Sequence, residues 1–226
     1  MKGFNVSMRI FDAVSGLNGF IGPLPSAEVI FVVFRGSENI QNWVTDVDLR
    51  KAPYSLCDGC EAHESFLRTT GSVIQSVRDE AERLLHLFPT FKLIVTGHSL
   101  GAAIATLVAV DLQAYFCHAL VLMYNFGSPR VFNLFAAVDV SYQLKNKFRF
   151  THLNDMIPHF PFTMQNYEHI SGEYYENING TIQRCVGPDD KNCAQQWPIE
   201  SLRLAAHIVY LNVTMHCPIL FRCTEN

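Results

Sequence analysis

The fold class is decided by one stretch of sequence: Phe91-Lys-Leu-Ile-Val-Thr96, then Gly97-His-Ser-Leu-Gly101, then residues 102–116. The first segment is apolar and β-branched and predicts a buried strand, whereas the last is apolar almost all round and predicts a buried helix. The five residues between them match the G-x-S-x-G turn, which holds a serine at a strand-to-helix corner. Gly97 and Gly101 avoid collisions that larger residues would make there. The sequence therefore predicts Ser99 as a catalytic nucleophile.

The flanking sequence alternates strands and helices. Residues 28–34 are apolar on both faces, which predicts a second interior strand, and an amphipathic pattern predicts a helix from Glu64 to Leu87. Further patterns predict a strand at 119–125, a short helix at 132–140, a strand at 147–152 and a hairpin at 172–185 turning at Asn179-Gly180. We therefore predict an α/β-hydrolase fold with a mostly parallel central sheet and helices on both faces. No linker divides the chain, so a single domain over residues 1–226 is expected.

Composition excludes several classes of function. The chain has 226 residues, 49% of them apolar and 17% charged, with a formal charge of -4. Because no polybasic run is present, nucleic acid is not an expected partner. The longest apolar stretches fall short of the roughly 20 residues that a membrane-spanning helix needs, so no transmembrane segment is expected.

Seven cysteines indicate an oxidising compartment. Close spacing of Cys185 and Cys193 favours a local disulfide. Cys57-Asp-Gly-Cys60 is compatible with a disulfide, a redox pair, a zinc site or free thiols. We favour the disulfide, because no second cysteine pair at ligand spacing completes a zinc site. The odd total leaves at least one cysteine without a partner in the chain.

A secreted or lumenal location agrees with three N-glycosylation patterns, which begin at Asn5, Asn179 and Asn212. Residues 1–24 contain no sustained apolar run before a small-residue cleavage site, so no signal peptide is recognised. We therefore expect an extracellular or lumenal protein whose route of export the sequence does not reveal.

A serine hydroxyl needs a base and an orienting carboxylate, expected in the chain order serine, acid, histidine. Asp155 is the best acid, because it follows a predicted strand and so lies at the carboxyl edge of the sheet. Two other acids are less suitable. Asp111 lies about three turns into the predicted helix, too far from its start, and Asp139 ends a short helix that is not near the carboxyl end of a strand. The alternative is that Asn154-Asp155 is only a turn before Pro158.

Four histidines follow Asp155. His207 is favoured as the base because it lies far enough along the chain for a separate loop to bring it over the serine. His169 remains an alternative. His159 is too close to Asp155 to return from another loop, and His216 sits beside a cysteine.

Seven blocks together resemble the fungal-type class 3 lipases, in the family's order. They are Phe34-Arg-Gly-Ser37, Asn42-Trp43 with Asp46, His63-Glu-Ser-Phe66, Thr96-Gly-His-Ser-Leu-Gly-Ala102, Asn125-Phe-Gly-Ser-Pro-Arg130, Asn154-Asp155 with Pro158, and His169 with Gly172-Glu173. The resemblance implies a triacylglycerol lipase-like serine hydrolase that acts on lipid esters at an oil-water interface without a metal or cofactor. Phospholipase, monoacylglycerol lipase or feruloyl esterase activity on the same scaffold is the alternative, followed by a catalytically silent binding protein.

The resemblance also implies residue roles. Since the family's base stands in a His-x-x-Tyr context, seen here as His207-Ile-Val-Tyr210, the implied triad is Ser99, Asp155 and His207, and His169 becomes structural. Ser37 and the Leu100 backbone N–H would form the oxyanion hole. Residues 38–46 would form a lid in which Trp43 covers the serine, with a fixed core position as the alternative for Trp43.

The sequence departs from the family pattern at three places. Phe132 replaces a usual glycine, and Tyr175 stands where an aromatic residue, commonly tryptophan, follows Gly-Glu. Family members usually carry an amino-terminal helix and extra strand segments, which bring a cysteine that pairs with the one near Cys217. Only 27 residues precede Glu28, so we expect a shortened or truncated front.

Overall fold

The computed structural model describes residues 3–37, 40 and 48–215. Its centre is an eight-stranded sheet in the order β1-β2-β3-β6-β7-β8-β9-β10. The strands of the described residues are β1 Met8–Asp12, β2 Leu17–Leu24, β3 Val29–Phe34, β4 Lys51–Pro53, β5 Glu61–His63, β6 Lys92–His98, β7 Val121–Phe126, β8 Lys147–His152, β9 Glu173–Glu176, β10 Ile182–Arg184, β11 Val209–Tyr210 and β12 Val213–Thr214. Strands β3, β6, β7, β8 and β9 pair in parallel, which confirms the predicted mostly parallel sheet.

The described residues contain three α-helices: α1 Glu64–Leu87, α2 Leu100–Tyr115 and α3 Leu134–Gln143. Helices α1 and α2 pack on this sheet, whereas α3 contacts α2 and β5. Residues at helical spacing form the buried face of α1: Phe66, Thr70, Val73, Val77, Ala81 and Leu84. Helix α2 is buried along most of its length, lies against β3, β6 and β7, and contacts both other helices. The Asn133 side chain caps α3 by accepting a hydrogen bond from the Ala136 N–H at 3.0 Å.

The amino-terminal strands were not predicted from the sequence. Strands β1 and β2 are antiparallel to each other, and β2 pairs antiparallel with β3. A Cβ at Gly19 would lie 2.4 Å from the Val33 carbonyl oxygen, and one at Gly22 would lie 2.0 Å from the Asn5 carbonyl oxygen. These glycines allow close backbone approach, but they also hide the alternation by which a strand is recognised.

Two local disulfides, Cys57–Cys60 and Cys185–Cys193, confirm the favoured interpretation of both cysteine pairs. The predicted hairpin is formed by β9 and β10, and Gly180 in its turn has a φ of 72°. Cys117 is exposed and free. Among the described residues, no helix combines the length and apolar character needed to cross a bilayer.

Candidate active site

The Ser99 turn joins β6 to α2 in a strained backbone conformation. Ser99 has a φ of 59° and a ψ of -129°, which few residues other than glycine adopt. A Cβ at Gly97 would lie 2.3 Å from the Gly101 carbonyl oxygen, and one at Gly101 would lie 2.4 Å from the Phe34 carbonyl oxygen. The two flanking glycines are therefore sterically required, and they allow the tight corner that presents the serine.

Asp155 follows β8 and is 2% exposed. One of its carboxylate oxygens, Oδ1, accepts a hydrogen bond from the Ile157 N–H at 2.9 Å. The other, Oδ2, accepts from His207 Nδ1 at 2.7 Å and from the Tyr210 hydroxyl. Three donors thus hold the orientation of this buried carboxylate.

His207 lies in the 3-10 turn Ala205–Ile208 and is 1% exposed. Because a carboxylate can only accept, the bond to Asp155 assigns the hydrogen to Nδ1 and leaves the Nε2 lone pair available in the neutral ring. A histidine in this state is suited to accept a proton from a nearby hydroxyl.

Ser99 and His207 approach the same short segment of the chain. The Ser99 N–H donates to the Phe126 carbonyl at 3.0 Å, and the next residue, Gly127, adjoins the His207 ring. A Cβ at Gly127 would lie 2.7 Å from His207 Cε1. Ser99 Oγ and His207 Nε2 are both buried, and neither has a hydrogen-bond partner within the described part of the chain. The serine and the histidine are therefore not bonded to each other in this structure.

The two predicted oxyanion residues lie beside the serine. A Cβ at Gly36 would lie 3.1 Å from Ser99 Cβ, so the segment after β3 that carries Ser37 runs against the nucleophile. Leu100 begins α2, where a backbone N–H has no partner within its own helix and the helix dipole favours negative charge. Trp43 and most of the predicted lid over residues 38–46 lie outside the described residues.

The alternative histidines have other surroundings. His169 Nε2 lies 2.7 Å from the Pro158 carbonyl oxygen, and burial lowers the pKa of this histidine well below its usual value. Burial also lowers the pKa of His159 to about 4. Asp111 pairs with Arg78 at 2.5 Å. His169 and Asp111 therefore interact with groups outside the Ser99 turn.

Three residues around the candidate base make contacts that the sequence did not predict. Burial, and after it the Asp155 carboxylate, raises the pKa of the Tyr210 phenol well above its usual value, so this hydroxyl remains a donor. Gly127 provides the space that the His207 ring occupies. The His98 ring lies 4.3 Å from the His207 ring. Gly127 and Tyr210 stand inside recognised motifs, but only the fold reveals what they contact.

Two buried arginines, one in β8 and one after β7, connect the neighbourhood of the site with the Cys185–Cys193 loop. Arg149, 2% exposed, lies 3.2 Å from Glu173 and donates to the Pro188 carbonyl at 2.6 Å. Arg130 pairs with Asp189 at 2.7 Å. No group of three or more His, Cys, Asp or Glu side chains that could hold a metal ion occurs over the residues that the structure describes.

Comparison with known proteins gives the family. Residues 31–165 match the model of the family described as Lipase (class 3). A secreted mono- and diacylglycerol lipase A of Penicillium cyclopium is 36% identical over 174 residues, which cover 76% of this chain and 56% of that protein. A secreted mono- and diacylglycerol lipase 1 of Fusarium solani is 35% identical over 212 residues, covering 90% of this chain and 62% of that protein. The chain thus spans about three fifths or less of these relatives' lengths.

A solved structure supports the same relationship. A triacylglycerol lipase whose catalytic centre is described as a serine protease triad superimposes with a TM-score of 0.84 at 27% identity, covering 95% of this chain and 83% of that one. The likeness extends over the central sheet and its helices, so the predicted α/β-hydrolase fold is confirmed. Since the family model matches more than half of its residues, this chain belongs to the class 3 lipase family.

Proposed function

We propose that this chain is a serine hydrolase that cleaves carboxylic ester bonds of lipids, with Ser99 as nucleophile, His207 as base and Asp155 as the residue that orients the base. The observation that carries the proposal is the buried His207 Nδ1 to Asp155 Oδ2 bond of 2.7 Å beside a serine in a strained turn. A stable fold does not need this strain, and strain of this kind concentrates at functional sites.

The mechanism is acyl transfer in two steps. Ser99 Oγ attacks the ester carbonyl while His207 Nε2 takes its proton, and the Leu100 N–H with the Ser37 N–H and hydroxyl stabilises the oxyanion. Collapse of this intermediate expels the alcohol, to which His207 returns the proton. Water, activated by the same imidazole, then attacks the acyl-enzyme and releases the fatty acid. No step requires a metal or a cofactor.

Closure of the Ser99–His207 hydrogen bond is part of this proposal. Serine and base are unbonded in the structure, and catalytic hydrogen bonds of this kind often tighten only when substrate is bound. Rotation about the Cα–Cβ bond of Ser99 would direct its hydroxyl toward Nε2 once the substrate carbonyl occupies the oxyanion hole. Trp43, as the centre of a lid over residues 38–46, is retained as a prediction.

Labelling with a fluorophosphonate probe tests the proposal. We expect the probe to modify the wild-type protein, and Ser99→Ala to abolish both labelling and ester hydrolysis. Ser141→Ala is a matched control, because Ser141 lies in α3 and its hydroxyl donates to the Ala137 carbonyl at 2.6 Å. Labelling that persists in Ser99→Ala, or a folded wild type that neither reacts nor hydrolyses any ester, would refute the proposed activity.

The names of the Penicillium and Fusarium relatives favour partial glycerides as substrates. We therefore expect hydrolysis of mono- and diacylglycerols, and a panel that adds triacylglycerols, phospholipids and feruloyl esters distinguishes the alternatives. Secretion is part of the same proposal. Two local disulfides support an oxidising compartment, the sequon asparagines Asn5, Asn179 and Asn212 are exposed, and both relatives are named as secreted proteins.

A further inference from the structure

His98 is next to Ser99 in the chain and contacts His207 in space. It ends β6 and directly precedes Ser99 in the chain, and its ring lies 4.3 Å from the His207 ring with 31° between their planes. Its Nε2 lies 2.8 Å from the backbone carbonyl oxygen of His207. Because a carbonyl only accepts, Nε2 must carry a hydrogen and donate it.

We propose that His98 is a positioning residue for His207: it fixes the backbone of the base by a hydrogen bond while Asp155 fixes the imidazole. This inference rests on the proposed function, in which His207 takes the proton of Ser99. The two anchors act on different parts of the same residue, 2.8 Å from the carbonyl oxygen at one end and 2.7 Å from Nδ1 at the other. Together they restrict both translation and rotation of the ring.

The position of His207 in the chain explains why an additional anchor matters. The base lies in a short 3-10 turn instead of a long helix or central strand, and its own N–H is held by the Leu204 carbonyl at 3.0 Å. Short turns of this kind hold a side chain less rigidly than regular elements do. The hydrogen bond from His98 connects this turn to β6, a central strand of the sheet, and therefore to the strand that presents the nucleophile.

His98 is suited to this role because it stays uncharged. Burial, followed by the nearby His207, lowers the pKa of His98 to about 4. A neutral ring with its hydrogen on Nε2 can donate to the carbonyl without repelling the imidazolium that forms on His207 during catalysis. The other side of the ring faces the segment of the oxyanion residue Ser37, since a Cβ at Gly36 would lie 3.5 Å from His98 Nδ1. The titratable groups Asp155 and Tyr210 also lie near His98.

Two substitutions of similar length separate the hydrogen bond from simple space filling. His98→Gln keeps an amide donor that can reach the His207 carbonyl, whereas His98→Met fills comparable space without a donor. The same pair at His118, an exposed residue between α2 and β7, provides the control. Each variant is measured for thermal unfolding, for kcat and KM on a dissolved short-chain ester, and for the rate of fluorophosphonate labelling, with kcat expressed per labelled site.

We expect His98→Met to lower kcat and the labelling rate by about tenfold, the scale of one hydrogen bond, while KM changes by less than about twofold. His98→Gln should keep kcat within about threefold of the wild-type value. Both His118 variants should have the kcat and labelling rate of the wild type. Equal kcat and labelling in all four variants, equal losses for the glutamine and methionine variants, or losses that only follow the unfolding temperature would overturn the inference. A wild type that the probe does not label would instead refute the proposed function.

Discussion

Gly127→Ala should largely abolish the proposed ester hydrolysis by adding a single methyl group. The new Cβ would lie 2.7 Å from His207 Cε1, 2.8 Å from its Nδ1 and 2.9 Å from the Tyr210 hydroxyl. Since non-bonded carbon atoms settle about 3.5–4.0 Å apart, the imidazole must move by about 0.8 Å or more. A shift of that size stretches the 2.7 Å bond to Asp155 and moves Nε2 away from its working position. We expect kcat to fall about 100-fold, the usual scale for a displacement near 1 Å.

The same substitution has a second effect, on stability, which must be separated from the first. Gly127 has a φ of 57°, where a residue with a Cβ is disfavoured by about 1–2 kcal/mol, and overpacking adds about 1–3 kcal/mol. Gly180→Ala is the matched control, because Gly180 has a φ of 72° but a Cβ there would meet no atom within 4 Å. It shares the backbone effect and lacks the collision.

The assay compares both alanine variants with the wild type by urea unfolding and by kcat per labelled serine. Gly180→Ala should lose only stability, by about 1 kcal/mol, and keep its kcat. Gly127→Ala should lose more stability and nearly all activity. If Gly127→Ala kept kcat within about threefold of the wild type, the contact geometry around His207 would not limit catalysis and the reasoning would fail.

Three further changes have expected outcomes. Tyr210→Phe removes one of the hydrogen bonds to Asp155, so we expect urea unfolding to show a loss of about 1.5–3 kcal/mol and kcat to fall about tenfold. His159 is buried with a pKa near 4, below its unfolded value of 6.5; its contribution to stability is therefore complete above pH 6.5 and is lost as the pH falls toward 4. His159→Leu should make the loss of stability between pH 6 and 5 shallower by up to about 1.4 kcal/mol per pH unit. Replacing Cys185 and Cys193 by Ala should lower the free energy of unfolding by about 2.5 kcal/mol. This is the loop-closure entropy expected for a crosslink between residues eight positions apart.

Each of these changes has a control in the same chain. Tyr142→Phe alters an exposed tyrosine, 72% accessible, and should leave stability and kcat unchanged. His118→Leu replaces an exposed histidine and is the control for His159→Leu. Replacing Cys57 and Cys60, three residues apart, should have a smaller effect than replacing the longer crosslink. Equal effects of a substitution and its control would contradict the explanation given for that site.

The sequence predicted the regular elements where burial and side-chain period agree. Helix α1 and strand β8 have the predicted limits, Glu64–Leu87 and Lys147–His152, because each has a clear periodicity and definite ends. Strand β1 was missed because it buries only Ile10 and exposes the neighbouring Phe11, so its residues show no clear alternation. Strand β2 was missed since Gly19 and Gly22 interrupt its pattern for a reason that lies outside the segment, namely the close approach of other backbone atoms. No local pattern carries that information.

The residues of the candidate site also differ in how far the sequence alone could identify them. Ser99 stands in a local pattern whose glycines can be explained from the turn alone. Asp155 was selected from its place after a strand, and it accepts the His207 bond there. Spacing favoured His207 over His169 but did not exclude His169, because the choice depends on how a distant turn folds back. The roles of these residues, the lid position of Trp43 and the single-domain organisation remain predictions.

The bond between His98 and the His207 carbonyl joins residues 109 positions apart, and that between Asp155 and His207 spans 52. Contacts of such range form only after the chain between them has lost much of its freedom, and they contribute little while local helices are assembling. Recovery of ester hydrolysis during renaturation should therefore lag behind the circular dichroism signal of the helices. Enzymatic turnover would then report on the last stage of chain assembly.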